Sequence, residues 1–319
     1  MEKVLEILAG WDASRVLALI NAVGGPDIAH KLISGEMKVH SIGQVIQADS
    51  VTKQETPVEP LVVKVVPADR VLVDKNGRCI PFKGIKGEVV DANRAFYLTQ
   101  PKIGYVAVRD RLQKLFCAGD DFMSAEELRN RCEDAIKRIH GNVQVANLLK
   151  GPHFPFVLPQ FAGDLGKFLD DTLVPMLERA YRVQFPNRSF TNYRHGTLVG
   201  EVKVALNTRQ DRLVDAMAKG PVCGVCFPTA TQGFGIQAVR EFITHLPEDL
   251  ILSGMEVPVA AAAYPDVFGR DYQTPGLDMA SLVWRSGSLC FEAYDVGAFF
   301  DYRSLRAYDR YSGGVSVLG

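Results

Sequence analysis

Residues 179–195 hold four arginines, Arg179, Arg182, Arg188 and Arg194, among four aromatics, Tyr181, Phe185, Phe190 and Tyr193, and end on His195; no acid stands between Glu178 and Glu201. Guanidinium groups offer phosphate oxygens a planar fork of donors, and aromatic rings stack on bases. The stretch is the first place to expect a nucleic acid or a phosphorylated ligand, with Arg179, Arg182, Arg188, Tyr193, Arg194 and His195 as the binding residues. A plainer reading puts Tyr181 in a buried helical stripe, pairs Arg182 with Glu178 one turn earlier, and leaves the rest as a solvated loop.

A second place is Gly233-Phe234-Gly235-Ile236-Gln237-Ala238, which follows an expected strand and opens an expected helix, as a dinucleotide-binding turn does. Its glycines, Gly233 and Gly235, would let a phosphate approach the backbone amides, and Glu256 lies about 20 residues on, where a ribose-binding acid is wanted. Against this, residues 228–232 separate strand from glycine, whereas the fingerprint turns tightly out of its strand. An ordinary strand-to-helix loop explains the spacing as well.

Cys223-Gly224-Val225-Cys226 has redox-pair spacing, but the pair falls inside an expected strand rather than at a helix start, where a dipole would lower a thiol pKa. No second pair supplies zinc ligands. Two buried thiols are expected. Gly119-Asp120-Asp121 has the residues of a metal-binding turn, yet Ser124 starts a helix three residues later, so the acids serve that helix start. The six histidines are scattered, and no Walker loop, His-Glu-x-x-His helix or Gly-x-Ser-x-Gly elbow occurs. No metal and no cofactor are expected.

These residues must be positioned by an α+β framework: short N-terminal helices, a small β-rich region and a mixed α/β C-terminal half. In residues 1–46, Val4, Leu5, Leu8 and then Val16, Leu17, Leu19, Ile20 and Val23 recur at helical spacing, broken at Gly24-Gly25-Pro26. Four basic residues face five acids up to residue 45, which argues against a DNA-reading helix-turn-helix and for a bundle that docks chains into a homo-oligomer. Residues 47–60 are polar with two prolines and read as a linker.

Residues 61–150 form the small α+β region, with strands expected at 61–66, 70–73 and 104–108 and turn chemistry at residues 74–77. Ser124-Ala125-Glu126-Glu127 is a capping box for a helix ended by Gly141. From residue 151 an α/β domain begins with a long helix that Pro175 should kink at the carbonyl of Asp171. Strand and helix patterns then alternate: a strand at 202–206, a helix capped by Thr208 and closed by Gly220, a strand at 222–227, a helix at 235–245 and a strand at 250–252. A helix near 257–264 follows, then a hairpin around Ser286-Gly287.

Composition bounds the rest. The 319 residues carry 36 basic and 37 acidic side chains, so any binding to polyanions is local rather than global. Six scattered cysteines fit reduced thiols better than a disulfide framework. The first residues hold acids where a signal peptide holds bases, and the most apolar stretch, 250–264, falls short of a membrane span, so a cytoplasmic protein without membrane contact is expected.

Residues Tyr264-Pro265-Asp266-Val267, the run from Arg270 through Gly276 to Asp278, and Tyr308-Asp309-Arg310-Tyr311-Ser312-Gly313-Gly314 resemble a group of bacterial proteins of unassigned function. The resemblance covers about residues 150–319, implies a bacterial cytosolic origin and carries over no catalytic residue. The leading expectation is thus a binding protein for a nucleic acid or phosphate-bearing partner. Its rivals are an enzyme acting on a nucleotide-like molecule at the 229–238 loop, and a structural subunit of an assembly.

Overall fold

The computed structural model describes residues 37–41, 44–47, 70–119 and 122–319 of the chain, and these form a mixed α+β protein. Within the unit 1–64, strands β1 (Met37–Ser41) and β2 (Gln44–Gln47) pair antiparallel, at the end of the segment 1–46 that the sequence pattern suggested to be helical in character. Val39, Val45 and Ile46 are β-branched and favour that outcome. The expected N-terminal helices with their oligomer contacts, the linker beyond Gln47, the strand at 61–66 and the acids Asp120 and Asp121 lie outside the described residues.

In the unit 65–319, residues 70–104 make single β-bridges, Val73 to Cys79 and Val89 to Phe234, rather than the expected small sheet. The strand expected at 104–108 is instead the start of α1 (Tyr105–Phe116), whose buried Val108 and Leu112 are one helical turn apart. Helix α2 (Ala125–Gly141) follows its capping box: the Ser124 hydroxyl accepts the Glu127 amide at 3.1 Å, and Leu128, Cys132, Ala135 and Ile139 form the buried stripe.

Strand β3 (Phe154–Leu158) is buried throughout. Helix α3 runs through Leu165–Phe168, a π turn at Leu169–Leu173 and Val174–Gln184. Here Pro175 has its effect. Its missing amide falls in the first turn of the last segment, and the amide of Val174 reaches back five residues to Leu169, so the disturbance takes the form of a π turn. That turn carries Asp170 with its carboxylate 3 % exposed.

Next come β4 (Ser189–Asn192), β5 (Val202–Val204), α4 (Gln210–Lys219), β6 (Val222–Phe227), α5 (Ile236–Phe242) and β7 (Leu250–Leu252). Thr208 does not cap α4; its hydroxyl donates to the Ala205 carbonyl at 2.7 Å, and Arg209 at φ +61° precedes the helix. Helix α6 (Glu256–Ala263) is apolar after Glu256 in its first turn and wholly buried, packed against α3 and β3. Then follow α7 (Pro265–Phe268), β8 (Gly276–Asp278), β9 (Leu282–Trp284), β10 (Ser288–Tyr294), β11 (Gly297–Arg303), β12 (Tyr311–Ser312) and β13 (Val315–Leu318).

One sheet has the order β3-β6-β13-β7 with antiparallel ladders throughout, so β6 and β7 run parallel to each other with β13 inserted between them. A second has the order β12-β8-β10-β11-β4, and β5 pairs with β9. The connection from β9 to β10 is a two-residue hairpin turn, Arg285-Ser286, closed by the Trp284 to Gly287 bridge. No helix among the described residues is long and apolar enough to cross a membrane.

Candidate functional site

The arginine-rich stretch is not one open face. Arg179 donates to the Leu115 carbonyl at 2.7 Å and so satisfies the C-terminal end of α1. Arg182 pairs with Glu178 at 2.8 Å, the i, i+4 pair that the plainer reading expected. Arg188 donates to the carbonyls of Gly269 and Arg270 and lies 4.5 Å from the Phe185 ring centroid. Each of these three cations is held against a different element. Tyr193 is exposed, with its ring edge-on to Phe299.

Arg194 and His195 leave β4 in a turn that two other elements hold. The His195 Nδ1 lies 3.3 Å from Asp170 Oδ1, while Asp170 Oδ2 accepts the Gly196 amide at 2.7 Å. The buried carboxylate of the π turn thus fixes the turn from below, a role that π turns often have near sites. Arg194 reaches the other way: its Nε is 2.7 Å from Asp301 Oδ1 on β11, and its guanidinium lies 5.3 Å from the Trp284 ring centroid. The indole Nε1 of Trp284 donates back to the Thr197 carbonyl at 3.1 Å, closing the arrangement.

There the structure has a cleft of about 330 Å³ lined by Arg194, Trp284, Arg285, Ser286, Asp301 and Tyr302. Arg285 lies over Trp284 at 4.3 Å from the ring centroid and has no carboxylate partner among the described residues. Its φ is +53°, at the first central position of the hairpin turn, where glycine is the usual occupant. Ser286 Oγ and Tyr302 OH are 3.3 Å apart on the rim. Asp301 Oδ1 also accepts the Tyr302 amide at 2.6 Å, which holds the carboxylate toward Arg194. The cleft therefore offers two guanidiniums, a carboxylate and two hydroxyls: a place for an anion that also carries hydroxyl groups. The sequence pattern located the hairpin, but of these six residues it singled out Arg194 alone. An arginine in a turn position suited to glycine is the signal that marks Arg285.

The glycine loop has another purpose. The amide of Gly233 donates to Tyr311 O and that of Gly235 to Glu88 O, both at 2.9 Å, so neither is open to a phosphate. Gly233, at φ +89°, is required because a Cβ there would stand 2.3 Å from the Val90 carbonyl. Glu256 is buried, taking Ser316 Oγ at 2.6 Å, Gln210 Nε2 at 3.1 Å and the Gly254 amide at 3.1 Å, which removes it from any ribose. The close approach of other chain segments, rather than a dinucleotide, explains the glycines.

Cys223 and Cys226 are both buried in β6 and, three residues apart on a strand, point to opposite faces. No group of three metal-ligating side chains occurs among the described residues. The segment Tyr308 to Tyr311 completes a buried charge cluster. Arg303 lies 3.2 Å from Asp278 and between the rings of Tyr308 and Tyr311, and Arg310 sits among Phe96, Tyr272, Tyr294 and Tyr311 with Glu292 at 3.7 Å. Burial pushes the Asp278 carboxyl up to about 7 against the pull of Arg303, and raises Glu292 as well. A larger hollow of about 740 Å³, between Phe116, Pro159, Phe161 and Lys219, has Lys219 as its one charged lining residue among the described residues. No family model, no curated protein and no solved structure matches the chain.

Proposed function

We propose that the chain binds a small phosphate-bearing ligand, of mononucleotide or sugar-phosphate size, in the cleft between Arg194 and Arg285. The observation that carries the reading is Arg285, an arginine held at φ +53° with its charge unpaired among the described residues. Such backbone costs about 1–2 kcal/mol, and local strain of this kind clusters at binding sites. A phosphate between the two guanidiniums would receive their donors in forked geometry, while Asp301 and Ser286 meet ligand hydroxyls. The volume of about 330 Å³ falls at the small end of ligand pockets, roughly 300–1,000 Å³.

A single small ligand is favoured over a polynucleotide because Arg179, Arg182 and Arg188 are held at separate places rather than in a row. The reading of an enzyme at the 229–238 loop has less support, since the Gly233 and Gly235 amides bond within the chain. Calorimetric titration with a nucleoside monophosphate, the matching nucleoside and ribose 5-phosphate tests the proposal. The phosphorylated compounds should bind, the nucleoside should not, and R285A should weaken binding by about tenfold or more. No binding by either phosphate compound, or an R285A affinity equal to wild type, would overturn it.

A further inference from the structure

We infer that a second cleft, between Arg78 and Arg94, is an independent site for a phosphate group. It has a volume of about 220 Å³ and is lined by Asn76, Arg78, Arg94, Tyr97, Leu98, Pro152 and Thr229. Among the described residues its polar lining consists of two guanidiniums, an amide and hydroxyls, with no carboxylate. A concave surface rich in donors and free of acids selects an anion.

Both arginines are presented by turns the sequence dictates. Asp74 Oδ1 accepts the amides of Asn76 at 2.8 Å and Arg78 at 2.9 Å, the local bonding that suits Asp to a turn. Gly77 takes φ +80° and packs so closely on Gly151 that a Cβ would stand 2.5 Å from its amide nitrogen. The Arg78 guanidinium then donates to Gln232 Oε1 at 3.0 Å. Gln232 is 3 % exposed, and its amide nitrogen is bound by the carbonyls of Asn93 at 3.0 Å, Phe96 at 3.3 Å and Asp309 at 3.0 Å. Arg78 is therefore held by a side chain that is itself buried and fastened to three carbonyls.

The turn that gives Gln232 two of those carbonyls, closed by the Phe96 amide on Asn93 O at 3.1 Å, is the turn that carries Arg94. Arg94 is exposed and has no hydrogen bond or ion pair among the described residues. One buried amide thus sets the position of Arg78 and of the turn bearing Arg94. Burial holds the Arg78 guanidinium below its ordinary range; Asp74 opposes that, and the like charge of Arg94 adds a smaller push in the direction of burial. A dianion between the two guanidiniums would meet donors from both. The volume of about 220 Å³ lies below the roughly 300 Å³ of pockets for larger ligands, which suits phosphate itself or a small phosphomonoester.

The test is thermal unfolding of the full chain at low ionic strength with inorganic phosphate, with glycerol phosphate, and with chloride at matched ionic strength. The same series is run on R94A and R285A. A ligand that binds only the native state raises the melting temperature in proportion to the logarithm of its concentration. Phosphate or glycerol phosphate should stabilise wild type and R285A where chloride does not, and R94A should lose about tenfold or more of the affinity. A preference for glycerol phosphate makes the occupant an esterified phosphate; equal affinity makes it the free ion. Stabilisation that is equal in R94A and wild type, absent for both phosphates, or lost in R285A instead would overturn the site. Because the two variants fall in different clefts, failure here and failure of the Arg285 site read out separately.

Discussion

The exposed imidazole of His195 stands on a buried acid: its Nδ1 is 3.3 Å from Oδ1 of Asp170, and the two side chains are 80 % and 3 % exposed. The dependence between them is one-sided. Asp170 also accepts the Gly196 amide at 2.7 Å, so D170A removes a charged acceptor from under the turn that carries Arg194. Its expected cost is about 2–3 kcal/mol, whereas H195A at an exposed position should stay within about 0.5 kcal/mol. Urea unfolding of the two variants checks this, and equal losses would contradict it.

The Asp278 carboxyl, 1 % exposed and 3.2 Å from Arg303, gives stability a pH dependence of unusual sign. Burial raises it to about 7, with the Glu292 charge adding to the rise and Arg303 opposing it. In the unfolded chain an aspartate ionises near 3.9, so between about 4 and 7 the folded state keeps a proton that the unfolded state has lost. Stability from this group is therefore full at low pH and falls as pH rises to about 7. D278N lacks the titration. The difference in unfolding free energy between D278N and wild type should shift in favour of the variant from pH 5 to pH 8, and a constant difference would refute the assignment.

Arg285 separates strain from binding. R285A and R285G both remove the guanidinium from the cleft, but only glycine relaxes the φ of +53°. R285G is expected to be more stable than R285A by about 1 kcal/mol, while both lose ligand affinity alike. Chemical denaturation paired with calorimetry makes the comparison. A ranking with alanine more stable would mean that the turn is not strained.

Thiol reactivity should follow burial. Cys117 is exposed, and Cys79, Cys132, Cys223, Cys226 and Cys290 are buried. Burial pushes the thiols of Cys79, Cys226 and Cys290 upward, away from the reactive thiolate. A colorimetric thiol assay on the native chain should titrate Cys117 quickly and the others after unfolding. Fast modification of Cys223 or Cys226 would revive a redox role for the pair.

What was legible in the sequence was mostly local. The capping box at Ser124, the Arg182 pair with Glu178, the apolar runs of β6 and β7 and the hairpin after Trp284 each depend on residues a few positions apart. The strand expected at residues 104–108 failed because Val106 and Val108 favour a strand on their own, whereas in the fold Val108 and Leu112 are buried on a helix, α1, that packs against α2 and α6. Pro175 announced a disturbance but not its form. The site was legible only at Arg194, since its partner Asp301 comes from a strand more than a hundred residues later. Gln232, which sets the second cleft, carries no signal in its neighbours at all.

The insertion of β13 between β6 and β7 has a consequence for the order of events during synthesis. Strands β3, β6 and β7 are complete by residue 252, yet the ladders that join β7 to the rest need residues 315–317. A nascent chain that has emerged only to β7 holds two strand edges facing an empty lane, the kind of edge that invites pairing with another chain. Ribosome-bound intermediates of this protein should consequently lean on a holding chaperone until β13 emerges and closes the lane.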